Sequence, residues 1–212
     1  MENNLIKNIT KTLNNNTLPG VIAHNKMLPH NRITPDKLET QINSIKSSVL
    51  VLLYPDISNN IKLVLIKRQD YKGVHGGQIA FPGGKKELSD LNDEYTAIRE
   101  TFEEIGVRIS FDNIIGRLSD IYIPPSNNLL TPIVAYIEHK PDFKINNFEV
   151  KEIIELNIND LINDNFLSED VFETIYGNVK APCFIFNSYK VWGATAMILN
   201  ELKIVINNLQ KS

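Results

Sequence analysis

The sequence predicts an α+β fold, a sandwich in which a mixed β-sheet is flanked by helices. Three observations predict it. Apolar, β-branched runs at Ser47 to Tyr54 and Ile61 to Lys67 are separated by a turn around Asp56, Ser58, Asn59 and Asn60, the pattern of paired strands. The segments Asp93 to Ile105 and Ala194 to Leu209 carry apolar residues at helical spacing. No internal repeat and no linker rich in Gly, Ser or Pro divides the chain.

The elements follow in order. Leu5 to Leu13 reads as a short helix, and Leu18 to Pro35, with Pro19, Pro29 and Pro35, as an irregular arm. Residues 1–44 are therefore expected to form an N-terminal helical and irregular arm, and 45–209 the main domain. After the first two strands, Gln78 to Phe81 is a short strand entering the Gly83-Gly84 turn. Asp93 to Ile105 begins near Asp90, Asp93 and Glu94, which suit a helix N-terminus, and stops at Gly106, which suits the C′ position. At about 100° per residue, Tyr95, Ile98, Phe102 and Ile105 share one stripe, with Glu100, Glu103 and Glu104 roughly opposite. Ile114 to Ile123 and Leu130 to Ile137 read as strands flanking Pro124 to Asn128, and Val150 to Leu156 as another. Asn157 to Asn163 starts a helical turn. Val171 to Tyr176 and Cys183 to Tyr189 suggest a hairpin, and Ile198, Leu202 and Ile206 mark the core side of the last helix, which Trp192 opens as a packing residue.

Composition narrows the function. A chain of 212 residues with 42% hydrophobic content can bury a full core. A net charge of −3 gives no electrostatic case for nucleic acid or an anionic membrane. Cys183, the only cysteine, permits no intrachain disulfide and reads as a small buried hydrophobe. The start lacks a basic region followed by an apolar one, and no apolar run approaches 18 residues, so the expected location is the cytoplasm.

The densest chemistry lies between Gly83 and Val107. Glu100, Glu103 and Glu104 stack three carboxylates on one helical face, an arrangement that repels itself unless a cation sits among them. Hard oxygen ligands of this kind suit Mg²⁺ or Mn²⁺.

On these residues the chain resembles a Nudix hydrolase. Arg99-Glu100, Glu103-Glu104, Gly106 and Val107 match the second half of that family's box. The first half departs: Gly84 lies fifteen residues before Arg99 rather than fourteen, Leu91 stands where the family has a loop glutamate, and Thr101 replaces an aliphatic residue. In the family the loop glutamate pairs with the arginine, so Asp90 and Asp93 are the candidate partners of Arg99. The expanded loop after Phe81-Pro82-Gly83-Gly84 resembles the branch that cleaves coenzyme A. So does the segment from Leu65 to Gln78, in which Arg68, His75, Gly77 and Gln78 match while Ile66, Gln69 and Gly73 depart. Ile123 to Asn127 and Val191 to Ala196 extend the likeness over roughly residues 45–209.

The resemblance implies a Nudix-type α/β/α sandwich and metal-dependent hydrolysis of the diphosphate bond of coenzyme A or an acyl derivative, giving 3′,5′-ADP and 4′-phosphopantetheine. Glu100, Glu103 and Glu104 would hold Mg²⁺ or Mn²⁺. Glu103 or Glu149 would act as general base, Arg99 would support the site, and Glu149 and Glu152 occupy positions where the family places an acidic residue facing the metal. Arg68, Lys72, His75, Gln78, Gly83 and Gly84 would bind substrate, with Lys72 the nearest substitute for an arginine missing at Gly73. The expected partner is a small-molecule nucleotide, without nucleic acid or membrane, and a homodimer is allowed. Two alternatives stand beside this: a Nudix hydrolase of another nucleoside diphosphate derivative, and a catalytically inert binding module, against which the presence of all three glutamates argues.

Overall fold

The first strand, β1 (Ile45–Pro55), organises the molecule. Its residues alternate between two cores: Val49, Val51 and Leu53 face one way, and Leu50, Leu52 and Tyr54 face the other. Burial on both faces explains why its sequence is an almost unbroken apolar run. The structure is a computed structural model that describes residues 4–15, 18–30, 43–69, 77–174 and 177–210.

The remaining strands are β2 (Ile61–Arg68), β3 (Ile79–Ala80), β4 (Gly83–Lys85), β5 (Ile114–Arg117), β6 (Ile121–Ile123), β7 (Asn128–Tyr136), β8 (Val150–Asn157), β9 (Leu167–Thr174), β10 (Gly177–Phe186) and β11 (Tyr189–Val191). The helices are α1 (Asn4–Asn14), α2 (Gly20–Asn25), α3 (Asp93–Ile105), α4 (Ile158–Ile162) and α5 (Gly193–Gln210). An eight-stranded sheet runs β3-β2-β1-β7-β5, with β8 on β2, β4 on β1 and β6 on β7. β1 and β7 are parallel and the other pairs antiparallel, so the sheet is mixed. β9, β10 and β11 form a separate three-stranded sheet.

Helices cover both faces. Ala97 and Ile105 of α3 pack on the side of Leu50, Leu52 and Tyr54. On the other side, Ile6, Ile9 and Leu13 of α1 join Ile198, Leu202 and Ile206 of α5. This is an α+β sandwich, helix on sheet on helix. Cys183 is fully buried, as its apolar surroundings predict. Among the described residues, no helix is long and apolar enough to cross a membrane.

Several expectations need correction. Within the span from Leu18 to Pro35 read as an irregular arm, Gly20–Asn25 forms helix α2, with Ala23 buried and Met27 in the core, since Pro19 and Pro29 lie outside the helix. The span Ile114 to Ile123 is two strands, because Pro132 in the facing strand has no N–H to give. β5 pairs with residues 133–135, β6 with 128–130, and only the Leu118 N–H reaches the Pro132 carbonyl at 3.0 Å. The late hairpin starts earlier, at Leu167, and Tyr189 belongs to a third strand that turns back at Asn187, whose φ is 53°; Tyr176 lies outside the described residues. The stripe on α3 is also shifted. Tyr95 and Phe102 are 38% and 43% exposed, whereas Thr96, Ala97, Thr101 and Glu104 are fully buried. Small side chains let the helix approach the sheet closely, and Phe102 instead carries the Arg108 guanidinium 4.7 Å from its ring centre.

Candidate active site

The site is built where α3 meets the two glycines; the turn expected at Gly83-Gly84 is instead the start of strand β4, drawn straight by pairing with Val49 and Ser48 of β1. Asn92 caps the helix, its side chain accepting the Tyr95 N–H at 2.8 Å, and Gly106 ends it in a left-handed conformation, φ 72°. Thr101, buried where an aliphatic residue was expected, satisfies its hydroxyl by donating to the Ala97 carbonyl at 2.7 Å.

Gly83 and Gly84 are required for two different reasons. Gly83 has φ +151°, and a Cβ there would lie 2.3 Å from the Ser48 carbonyl oxygen and 2.6 Å from Val49 Cα. Its N–H donates to Glu104 Oε2 at 2.8 Å. At Gly84 a Cβ would come within 2.4–2.5 Å of the Glu100 carboxyl group. A side chain at Gly83 would thus collide with β1, and one at Gly84 would displace the Glu100 carboxylate.

Burial and charge then act on those carboxylates. Glu104 is wholly buried, and its pKa is pushed up to about 7, chiefly by loss of solvent, against the opposing pull of Arg68 and of the Gly83 N–H. The neighbouring charges of Glu100 and Glu149 raise it further. Burial likewise raises the Glu100 carboxyl, with Arg99 opposing. Arg68 ends β2 just after a bulge, with Nη1 3.4 Å from Glu104 Oε1. Among the described residues, Glu104 Oε1 and Arg68 Nε are nonetheless buried without hydrogen-bond partners.

Asp90 is the partner of Arg99. Arg99 Nε donates to Oδ1 and Nη2 to Oδ2, each at 2.9 Å. The guanidinium holds the Asp90 carboxyl well below the usual carboxylate range, and the pairing pushes the arginine upward in turn. Asp93, the other candidate, pairs with Lys86 at 3.2 Å. Arg99 Nη1 also reaches Glu100 at 2.9 Å and Glu103 at 3.1 Å.

A cavity of about 790 Å³ opens in front of the glycine pair. Arg68, Gln78, Gly83, Gly84 and Glu100 line it, while Glu104 lies behind Gly83 and Glu103 is exposed beyond Arg99. Glu149 accepts a hydrogen bond from Asn146 Nδ2 at 3.1 Å, and its charge reaches both Glu100 and Glu104. Glu152 instead accepts from the Tyr189 hydroxyl. Lys72 and His75 lie outside the described residues. Ser47 and Asn128, which sequence reasoning did not single out, also line the cavity; a serine pair inside the apolar strand β1 was the available signal.

The donor set suits a hard divalent cation: it is all carboxylate oxygen, and Glu104 Oε1 has no hydrogen-bond partner among the described residues. Among the described residues no three His, Cys, Asp or Glu side chains already converge as a ready metal cluster. Arg99 holds both Glu100 and Glu103, so a bound cation would compete with the guanidinium for them.

Comparisons with known proteins bear on the family and the fold. A family model describing the NUDIX domain matches residues 45–170. Nudix hydrolase 3 of Caenorhabditis elegans is 27% identical over 196 residues, covering 84% of this chain and 78% of that protein. The Yersinia enterocolitica Nudix hydrolase NudL is 31% identical over 148 residues, covering 68% of this chain and 74% of its own. Among solved structures, a MutT/nudix family protein from Enterococcus faecalis superposes with a TM-score of 0.50 at 20% identity, covering 86% of this chain and 65% of that one.

Proposed function

This chain belongs to the Nudix hydrolase family, enzymes that hydrolyse phosphorus-containing anhydrides, and on that premise we propose that it cleaves the diphosphate bond of coenzyme A or an acyl derivative. The products are 3′,5′-ADP and the 4′-phosphopantetheine moiety. The observation that carries the reading is the Gly83-Gly84 pair, which sets Glu104 and Glu100 against one end of a cavity that also holds Arg68. The coenzyme A assignment is supported by Arg68, His75, Gly77 and Gln78 before the glycine pair and by the expanded loop after it.

Nudix hydrolases use divalent metals such as Mg²⁺ or Mn²⁺. In this chain Glu100, Glu103 and Glu104 would hold the ion, which when bound polarises phosphate oxygens and makes water more acidic. The remaining work falls to the chain itself. Arg68 steadies a phosphate by charge, and the Gly83-Gly84 backbone keeps the approach open. Glu149 suits the general base better than Glu103. Glu103 would first have to leave its ion pair with Arg99, whereas among the described residues the Glu149 carboxylate takes the neutral amide of Asn146. Asp90 orients Arg99, which in turn spaces Glu100 from Glu103. We assign this chemistry to residues 45–209, acting in the cytoplasm.

The test is a panel of coenzyme A, dephospho-coenzyme A, ADP-ribose and diadenosine polyphosphates with Mg²⁺ or Mn²⁺, with products identified by mass spectrometry. Coenzyme A should show the highest kcat/KM and release 3′,5′-ADP. Faster turnover of ADP-ribose or a dinucleoside polyphosphate would assign the site to another nucleoside diphosphate derivative, a reading that the Gly73 departure favours.

A further inference from the structure

The cavity continues well past the glycine pair, and its composition changes on the way. Val49, Ile79, Phe81, Leu130, Val179 and Ile198 form apolar walls between the sheet, β10 and α5. The charged side chains that line it, Arg68, Lys85 and Glu100, gather around the glycines. Where the charged end meets the apolar part, two oxygen atoms, Ser47 Oγ and Asn128 Oδ1, are buried with no hydrogen-bond partner among the described residues, Ser47 lying opposite Lys85 of β4 and Asn128 opposite Ile45 and Ile123. Ser47 is only 4% exposed. Other polar groups nearby are satisfied: Thr195 Oγ1 donates to the Ile79 carbonyl at 3.1 Å, and Ser126 Oγ to the Ile123 carbonyl at 3.4 Å.

The sheet register explains why the two orphans act together. β1 and β7 are parallel with Ile45 opposite Asn128 and Ser47 opposite Leu130. Ser47 and Asn128 are therefore diagonal neighbours on one face, about 7–8 Å apart at the backbone. A hydroxyl that can donate stands beside a carboxamide that can accept, where the charged end of the cavity gives way to its apolar wall. Leaving such groups unpaired costs stability, and a ligand offering a complementary pair removes that cost.

We propose that this trough is the subsite for the uncharged arm of the substrate's leaving group, and that Ser47 and Asn128 recognise a secondary amide in that arm. The amide carbonyl accepts from Ser47 Oγ, and the amide N–H donates to Asn128 Oδ1. A charged nucleotide end is disfavoured past Ser47, where Leu130, Val179 and Ile198 line the cavity and a phosphate would be desolvated without a partner. A stacked nucleobase is disfavoured too. Trp192, which also lines the cavity, already stacks on Phe172, with ring centres 4.5 Å apart and planes at 11°. The inference rests on the coenzyme A reading for the identity of the arm, but its chemistry comes from the two orphaned oxygens.

The experiment measures binding rather than turnover. Calorimetry on the full chain with Mg²⁺ compares 4′-phosphopantetheine, an alkyl phosphate of equal chain length without amides, and AMP. The amide-bearing probe should bind about tenfold tighter than the alkyl phosphate, as one or two well-placed hydrogen bonds provide. Ser47→Ala and Asn128→Leu should each shrink that preference, and Ser47→Ala, which only removes an unpaired buried oxygen, should fold normally. Equal affinity for the two chains, tighter binding of AMP, or a preference undiminished in both variants would overturn the assignment. If coenzyme A is turned over but the amide preference is absent, the subsite fails and the proposed function stands. An amide preference without coenzyme A turnover means the reverse.

Discussion

Arg99 and Asp90 meet through two hydrogen bonds of 2.9 Å, a side-on pairing that locks the loop after the glycine pair onto α3. Asp90 Oδ2 also accepts from the Thr96 hydroxyl and the Glu87 N–H, both at 2.9 Å, so this buried carboxylate takes three hydrogen bonds on Oδ2 and one on Oδ1. The loop has no glutamate at Leu91, and Asp90 provides the carboxylate that grips the arginine.

Asp90→Asn should therefore destabilise the fold by about 2–3 kcal/mol, the scale for hydrogen bonds to a charged group, as read by urea unfolding at pH 7. The sign of the pH dependence follows from the depressed folded-state pKa. The contribution is complete above the unfolded value of about 3.9 and is lost as pH falls toward the folded one. The stability gap between wild type and Asp90→Asn should stay constant from pH 7 to about 5 and narrow below about pH 4. A gap that widened on acidification would contradict the pairing.

Glu104→Gln keeps the size of the side chain and removes its charge. It should lower kcat by about 10²-fold or more if a bound cation contributes several kcal/mol to the transition state. The metal-free protein should melt no lower than wild type, since burial already disfavours the charged form. Wild-type turnover by Glu104→Gln in the presence of EDTA would remove the metal from the reaction.

The two glycines should separate stability from activity. Gly83→Ala forces a Cβ into the backbone of β1 at a positive φ and should cost at least about 2 kcal/mol. Gly84→Ala presses only on the Glu100 carboxyl group, the end of a flexible side chain. It should fold with a near-normal Tm and lose about tenfold or more in kcat, because the displaced carboxylate misplaces what it holds. Thermal melts and steady-state kinetics on the pair distinguish the two effects.

Leu91 is 84% exposed at the tip of the expanded loop. Leu91→Glu should leave kcat within about twofold, as expected for a surface change away from structural features. A large gain in rate would mean that the loop brings this position to the metal after all.

Much of this architecture is legible in the chain. The two-sided burial of β1 shows as an unbroken apolar run, and the spacing of Arg99, Glu100, Glu103 and Glu104 shows as a motif because one helical face must carry them. What misleads is residue size. Tyr95 and Phe102 look like core because they are large and helically spaced, yet α3 packs through Ala97 and Thr101, since a closely approaching helix has no room for rings. The break at Leu118 to Asp120 depends on Pro132 in a different strand, a pairing that local sequence does not reveal. Ser47 and Asn128 are silent for a similar reason: their significance is that Ser47 Oγ and Asn128 Oδ1 have no hydrogen-bond partner among the described residues, and only the assembled sheet shows that.

The parallel pairing of β1 with β7 also bears on how the chain acquires its site. Ile45 and Asn128 are neighbours in the sheet but distant in the chain, and the glycine pair and α3 both lie in the loop that their pairing closes. Closing so long a loop is entropically slow and must precede the contacts that reward it. A nascent chain that has emerged only as far as α3 carries every proposed metal-binding carboxylate but lacks the strand against which β1 settles. The catalytic face should therefore mature late and all at once, making synthesis of β7 a commitment point for this enzyme.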